Sequence, residues 1–229
     1  MAITTILLDG GGVILDEADT EHANAEIITE IIQQCGIPYS IDEYWRDTEE
    51  AVYRFVPSTY RYILWKKLQS RDKFEEAHRK WRYRLATDGP PLRIADGMAE
   101  QLRTLSHHFK FGLAGQYGAE ILDTLMAGSL LDLFDYKGTQ DNFSITKPDP
   151  RYFEQIAAAC GVTTQSCLMV GDRIDNDIIP AHQTGMLAVR IRTGIHIRQE
   201  PRTPPEFPDA EIDSVSQLAQ TILRLTSRS

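Results

Sequence analysis

Five short apolar runs separated by helical patterns restrict the fold of this chain more than any other feature. Ile3–Leu8, Lys110–Ala114, Cys167–Val170 and Met186–Ile191 each read as a buried strand, and a weaker one lies near Ala210–Asp213. Between and after them, Ala95–Leu105, Ala119–Leu125, Pro150–Cys160, Ile178–Gly185 and Val215–Leu225 carry apolar residues at helical spacing. Strands that are apolar throughout are covered on both faces, and strands alternating with helices pair in parallel. The expectation is an α/β fold with a Rossmann-like parallel sheet. Helix punctuation agrees: Asp149 can cap the helix that Pro150 opens, and Gly161 stands at its end.

Residues 17–92 break the alternation. Ile27, Ile28, Ile31 and Ile32 make one helical face, closed by Gly36 and Pro38. Ser40 with Glu43 forms a capping-box pattern, and helical segments follow at about Tyr60–Gln69 and Asp72–Ala86. The reading is a helical insertion at 17–92 within a sheet-bearing domain built from 1–16 and 93–229. Between Arg61 and Arg84 nine Lys or Arg face three acids; with −9 on the whole chain, this +6 leaves −15 elsewhere. Tyr60, Tyr62, Trp65, Phe74, Trp81 and Tyr83 interleave with these charges. Two readings stay open for the stretch: a lid that draws in an anionic substrate, or helices with solvated basic faces over an aromatic core.

The acidic balance argues against nucleic acid as a partner. No apolar run approaches the ~20 residues that cross a bilayer, so no membrane contact is expected. No basic segment precedes an apolar core at Met1-Ala2-Ile3-Thr4, so a secretory leader is not expected either. Cys35, Cys160 and Cys167 stand apart in apolar settings, as structural thiols in a reducing cytoplasm do. The expected state is a cytoplasmic monomer or homodimer.

In parallel sheets, ligands collect at the carboxyl ends of strands. There Asp9 follows Ile6-Leu7-Leu8, and Asp172 follows Leu168-Met169-Val170-Gly171, with Asp175, Asn176 and Asp177 close behind; Lys147 lies just before a helix. Two carboxylate clusters and a lysine make an oxygen-ligand site suited to Mg²⁺ and able to hold an anion.

Asp9-Gly10-Gly11-Gly12-Val13 after a strand, Lys147-Pro148-Asp149-Pro150, and Gly171-Asp172 with Asp177, continued by Ala181 and Gly185, occur in the order of the haloacid dehalogenase-like (HAD) superfamily. The chain resembles that family over nearly its whole length, and the insertion resembles its C1 helical cap. The resemblance implies a Mg²⁺-dependent phosphatase acting on a small phosphorylated metabolite. Asp9 would be the nucleophile, forming an aspartyl-phosphate. The carboxylates of Asp9 and Asp172 and the backbone carbonyl of Gly11 would hold the metal. Lys147 would neutralise the approaching charge. Asp177 would either assist the metal shell or orient Lys147, whereas Asp175 reads as a solvated residue at a helix start.

Two positions depart from the family pattern. Gly115 stands where the second motif has Ser or Thr, so the hydroxyl donor to the phosphoryl group is missing; the Gly115 N–H or the Gln116 side chain could partly replace it. Gly11 stands where phosphatases of the family carry the acid that protonates the leaving oxygen. Asp16, Glu17, Asp19 and His22 could supply that proton, or could simply cap and solvate the first inserted helix. The departures leave a second reading open: a scaffold that binds a phosphorylated ligand or a protein without turnover. Dehalogenase chemistry lacks its cap arginine pattern, and phosphonate cleavage would need a Schiff-base lysine, for which Lys66, Lys67, Lys73 and Lys80 are available.

Overall fold

The computed structural model describes residues 2–115, 117–139, 142 and 144–227. In chain order, β1 (Thr5–Leu8) and the two-residue β2 (Leu15–Asp16) are followed by four helices: α1 (Ala18–Gln34), α2 (Ile41–Tyr53), α3 (Thr59–Leu68) and α4 (Arg71–Asp88). Next come β3 (Arg93–Ile94), α5 (Met98–Ser106), β4 (Lys110–Leu113), α6 (Glu120–Ala127), β5 (Phe134–Tyr136) and α7 (Pro150–Ala159). The last part holds β6 (Cys167–Gly171), a wide π-type turn at Ile174–Ile178, α8 (Ile179–Gln183), β7 (Leu187–Ile191), β8 (Ala210–Ile212) and α9 (Leu218–Thr226). The chain divides into two compact units, one of Met1–Asp16 with Leu92–Ser229, the other of Glu17–Pro91.

The first unit is built on a six-stranded sheet in the order β5-β4-β1-β6-β7-β8, with every pairing parallel. This is the α/β architecture that the apolar runs imply. Successive residues of β1 serve opposite faces, as the two-residue strand period requires. Ile6 and Leu8 pack with Phe111, Leu113, Leu168 and Val170 under α5, α6 and α9. Leu7 joins Met169 and Ala188 under α7 and α8 on the other face. All four β1 residues are buried, so the strand cannot slip without exposing one of two cores. β2 and β3 form a separate antiparallel pair.

The second unit is helical. Ile27, Ile28, Ile31 and Ile32 of α1 are buried against Tyr44, Ile63, Leu64, Phe74 and Trp81. The capping box at α2 is present: the Ser40 N–H donates to Glu43 Oε2 at 2.9 Å, and the Glu43 N–H donates to Ser40 Oγ at 3.3 Å. Of the interleaved aromatics, Phe74 and Trp81 belong to the core, while Trp65 and Tyr83 are exposed. No helix among the described residues is long and apolar enough to cross a membrane.

Candidate active site

β1 and β6 are neighbours with Leu8 opposite Val170, so both chains emerge together at the carboxyl edge of the sheet. The Asp9 N–H is still held by the Val170 carbonyl at 3.0 Å, and Asp172 follows the last residue of β6. Between them the chain turns tightly at Gly12, whose φ is +66°. A Cβ at Gly12 would lie 2.8 Å from Asp172 Oδ2. Glycine is therefore needed there twice, for the left-handed backbone and for the approach of the carboxylate.

Lys147 reaches this edge from the loop before α7. Its Nζ lies 2.9 Å from Asp9 Oδ1 and 2.7 Å from Asp177 Oδ1, and its side chain is 1% exposed. Burial works against the lysine's charge, but Asp177 and Asp9 outweigh it and hold the ammonium above the ordinary lysine range. Asp177 is itself fully buried: burial raises its pKa to about 6, with the Asp9 charge adding and Lys147 opposing. Its carboxylate folds back over the end of β6, where a Cβ on Gly171 would come within 2.3 Å of Asp177 Cβ. Both its oxygens are engaged, Oδ1 by Lys147 and Oδ2 by the Arg173 N–H at 3.1 Å. That geometry favours orientation of Lys147 over direct ligation. Asp9 Oδ1 also accepts from the Gly10 N–H at 2.7 Å, which fixes the carboxylate in rotation.

Asp9, Asp172 and Asp177 each offer an oxygen, and these atoms lie within 4.8 Å of one another. Three carboxylates thus meet one ammonium at the carboxyl edge of the sheet. Arg173, whose guanidinium pairs with Asp175 at 2.6 Å, also lies within electrostatic reach of Asp172 and Asp177. Clustered, buried oxygen donors of this kind fit a small divalent cation such as Mg²⁺. Gly11 lies in the turn after Asp9 and bridges to Leu15. Asp175 stands in the first turn of Ile174–Ile178 and outside the carboxylate cluster, as expected, but it is not solvated: it is held by Arg173 and by Gln199 Nε2 at 2.8 Å.

Gly115 follows β4, and its carbonyl accepts from the Tyr152 hydroxyl at 3.1 Å. Gln116 lies outside the described residues. Asp16 pairs with Arg93 at 3.1 Å, and His22 Nδ1 lies 2.7 Å from the Ala18 carbonyl. Of the inserted lysines, Lys66 is clamped between Asp47, at 2.6 Å, and Glu50, and these hydrogen bonds raise its pKa. Lys67 joins Asp47 at 3.0 Å, and Lys80 pairs with Glu76 at 2.7 Å. A lysine held protonated is a poor Schiff-base nucleophile.

Three residues packed around the site escape a reading by motif: Tyr152, Arg190 and Gln199. Arg190 alone leaves a trace in the sequence, as a charge inside the otherwise apolar run Leu187–Ile191.

A family model described as HAD-hydrolase-like matches residues 144–218. A glyceraldehyde 3-phosphate phosphatase of Methanopyrus kandleri is 38% identical over 85 residues, covering 37% of this chain and 36% of that protein. A phospholysine phosphohistidine inorganic pyrophosphate phosphatase of Mus musculus is 30% identical over 84 residues, covering 37% of this chain and 31% of that protein. The chain thus spans about a third of the length of these curated relatives. Over almost the full length it superposes on a "predicted phosphoglycolate phosphatase" from Haemophilus somnus, with a TM-score of 0.72, 16% identity and coverage of 96% of this chain and 98% of that one. The magnesium-bound structure of YfnB from Bacillus subtilis gives a TM-score of 0.69 at 18% identity, with 97% and 99% covered. At these identities the likeness of the two structures is one of fold.

Proposed function

We propose that this chain, which belongs to the haloacid dehalogenase-like superfamily, is a phosphatase that cleaves a small phosphorylated metabolite through a phosphoryl-aspartate on Asp9. The observation that carries the reading is Lys147 Nζ, buried and bridging Asp9 and Asp177 beside Asp172 at the carboxyl edge of the sheet. Asp9 and Asp172, with the Gly11 carbonyl, would hold Mg²⁺, which supplies charge neutralisation at the phosphoryl oxygens. The helical unit Glu17–Pro91 is read as a C1-type cap from its place in the chain, after β2 and before β3.

In the first step a carboxylate oxygen of Asp9 attacks phosphorus, and the bond to the leaving oxygen breaks with its electron pair. Lys147 keeps its proton throughout and offsets the charge of nucleophile and phosphoryl group, which is the electrostatic work this transfer demands. The leaving oxygen takes a proton from solvent; in the second step water attacks phosphorus and returns one proton to solvent, Asp9 is released as carboxylate, and phosphate leaves carrying the water's oxygen and its other proton. Glycine at 11 removes the side chain that would protonate the leaving oxygen, help worth about 10²- to 10⁴-fold. Substrates whose leaving groups need little protonation, such as anomeric sugar phosphates and acyl phosphates, suffer least from that loss.

The test is a phosphate-release panel with Mg²⁺ that includes sugar 1-phosphates, acyl phosphates, pyrophosphate and glyceraldehyde 3-phosphate. The last two are chosen because relatives are named for them. Release should stop with a chelator and in Asp9→Asn; unchanged turnover in that variant would refute the mechanism. Gly11 and Gly115 together favour one other reading, a scaffold that binds a phosphorylated ligand without turnover. Silence across the panel, with a large gain in Gly11→Asp, would favour it.

A further inference from the structure

Arg190 is a 1% exposed arginine in a strand that is otherwise apolar. Its guanidinium donates from Nε to the Asp172 carbonyl at 3.1 Å, from Nη1 to the Gln199 carbonyl at 2.8 Å, and from Nη2 to the His196 carbonyl at 2.8 Å. Only the fourth bond, from Nη1 to Glu211 Oε2 at 3.0 Å, goes to a carboxylate. A buried arginine that spends three bonds on backbone carbonyls is shaping main chain as well as balancing charge. The chain it shapes is the segment that carries the site's carboxylates.

Gln199, also 1% exposed, completes the arrangement. Its Oε1 accepts from the Ile174 N–H at 2.7 Å, and its Nε2 donates to Asp175 Oδ1 at 2.8 Å. Ile174 opens the π-type turn, so its N–H has no partner inside that turn and needs one from outside. Asp175 in turn holds the Arg173 guanidinium, while the Arg173 N–H holds Asp177 Oδ2. The segment between the two site carboxylates is therefore gripped at the Asp172 carbonyl, the Ile174 amide and the Asp175 side chain, all from β7 and the loop that follows it.

We propose that Arg190 and Gln199 are positioning residues for the Asp172 and Asp177 carboxylates, a brace that holds their loop in the geometry a divalent cation needs. The inference rests on the reading of Asp172 as a Mg²⁺ ligand, with Asp177 holding Lys147 beside it, and it deepens that reading. Neither residue touches the reacting atoms. A small octahedral ion tolerates little displacement of its donors, and partners behind a ligand typically set about 10- to 100-fold in metal affinity.

The experiment is calorimetric titration of the full chain with Mg²⁺ alone, comparing wild type, Asp172→Asn, Gln199→Met and Arg190→Met. Gln199→Met keeps the volume and breaks only the grip on the loop, so it stands if Arg190→Met fails to fold. Asp172→Asn should abolish the binding seen in wild type. Gln199→Met should weaken it about 10- to 100-fold. On a substrate found by the panel, the half-saturating Mg²⁺ should rise while the substrate KM stays put, a split that general loss of stability does not produce. Wild-type Mg²⁺ affinity in Gln199→Met would overturn the brace. Failure of wild type to bind Mg²⁺ would instead overturn the metal reading. Amide hydrogen exchange then decides the brace by itself: faster exchange at 174–178 in Gln199→Met, with β6 unchanged, supports it, and unchanged exchange overturns it.

Discussion

Replacing Glu21 with glutamine should stabilise the helical unit at alkaline pH and leave it nearly unchanged at acid pH. Glu21 is the fourth residue of α1, yet it is only 7% exposed. One carboxyl oxygen accepts from the Tyr60 hydroxyl, and Oε2 is buried without a partner. The buried hydroxyl of Tyr44 lies within reach of the Glu21 charge. Burial therefore raises the Glu21 pKa from 4.5 to about 7; the Tyr60 hydrogen bond opposes the rise, and the Glu17 charge adds to it. Because the folded value lies above the unfolded one, the native state keeps its proton longer. The contribution of neutral Glu21 is complete below about pH 4.5 and is lost as the pH rises through about 7. A shift of that size corresponds to about 3 kcal/mol between the two limits, at 1.36 kcal/mol per unit.

Glu21→Gln keeps the acceptor for Tyr60 and cannot ionise, so it should escape this loss. At pH 8 the variant should exceed wild type by about 2–3 kcal/mol, while near pH 4.5 the two should agree within about 1 kcal/mol. All three tryptophans, Trp45, Trp65 and Trp81, lie in the helical unit. Urea unfolding followed by tryptophan fluorescence therefore reports that unit alone. The decisive quantity is the difference between the two proteins from pH 4.5 to 8, which cancels every other titrating group. Parallel curves over that range would refute the reasoning.

Two substitutions at the sheet edge test how closely the glycines are fitted. Gly12→Ala would place a Cβ 2.8 Å from Asp172 Oδ2 at a φ of +66°, so it should cost about 1–2 kcal/mol and weaken Mg²⁺ binding; wild-type affinity by calorimetry would contradict this. Gly115→Ser restores the hydroxyl-bearing residue of the family pattern, but its Cβ would meet the Gly10 backbone, 3.0 Å from N and 3.2 Å from Cα. It should therefore cost about 1–3 kcal/mol of stability through overpacking, seen as a lowered thermal midpoint, without raising phosphate release; a faster enzyme would show that the Gly10 turn can yield.

What the sequence discloses about this molecule follows the range over which each feature is encoded. β1, β4, β6 and β7 are legible because their apolar runs answer to burial on both faces. β5 is not, since Phe134-Asp135-Tyr136 is three residues long and only Phe134 is buried, Asp135 instead taking the Phe111 N–H at 3.2 Å. β2 and β3, at two residues each, fall below any periodicity. Asp9, Lys147 and Asp172 are legible as candidates because each stands at the end of an apolar strand or at the start of a helix. The division of labour between them is not, because it depends on which oxygen faces which hydrogen. Asp177 shows this: that its oxygens meet Lys147 and the Arg173 amide is visible only in the folded chain. Asp175 is misjudged for the same reason, its partners lying 2 and 24 residues away. Glu21 stands among a run of acids from Asp16 to Glu26 with nothing local to set it apart, and only packing against Tyr60 and Tyr44 makes it a buried acid. Arg190 differs from all of these. A guanidinium within Leu-Ala-Val-Arg-Ile violates the pattern that defines the strand, and a chain bears such a violation only where the buried donors are used. One of those donors meets the carbonyl of Asp172, so the break in the patterning of β7 points back to the site that the motifs mark.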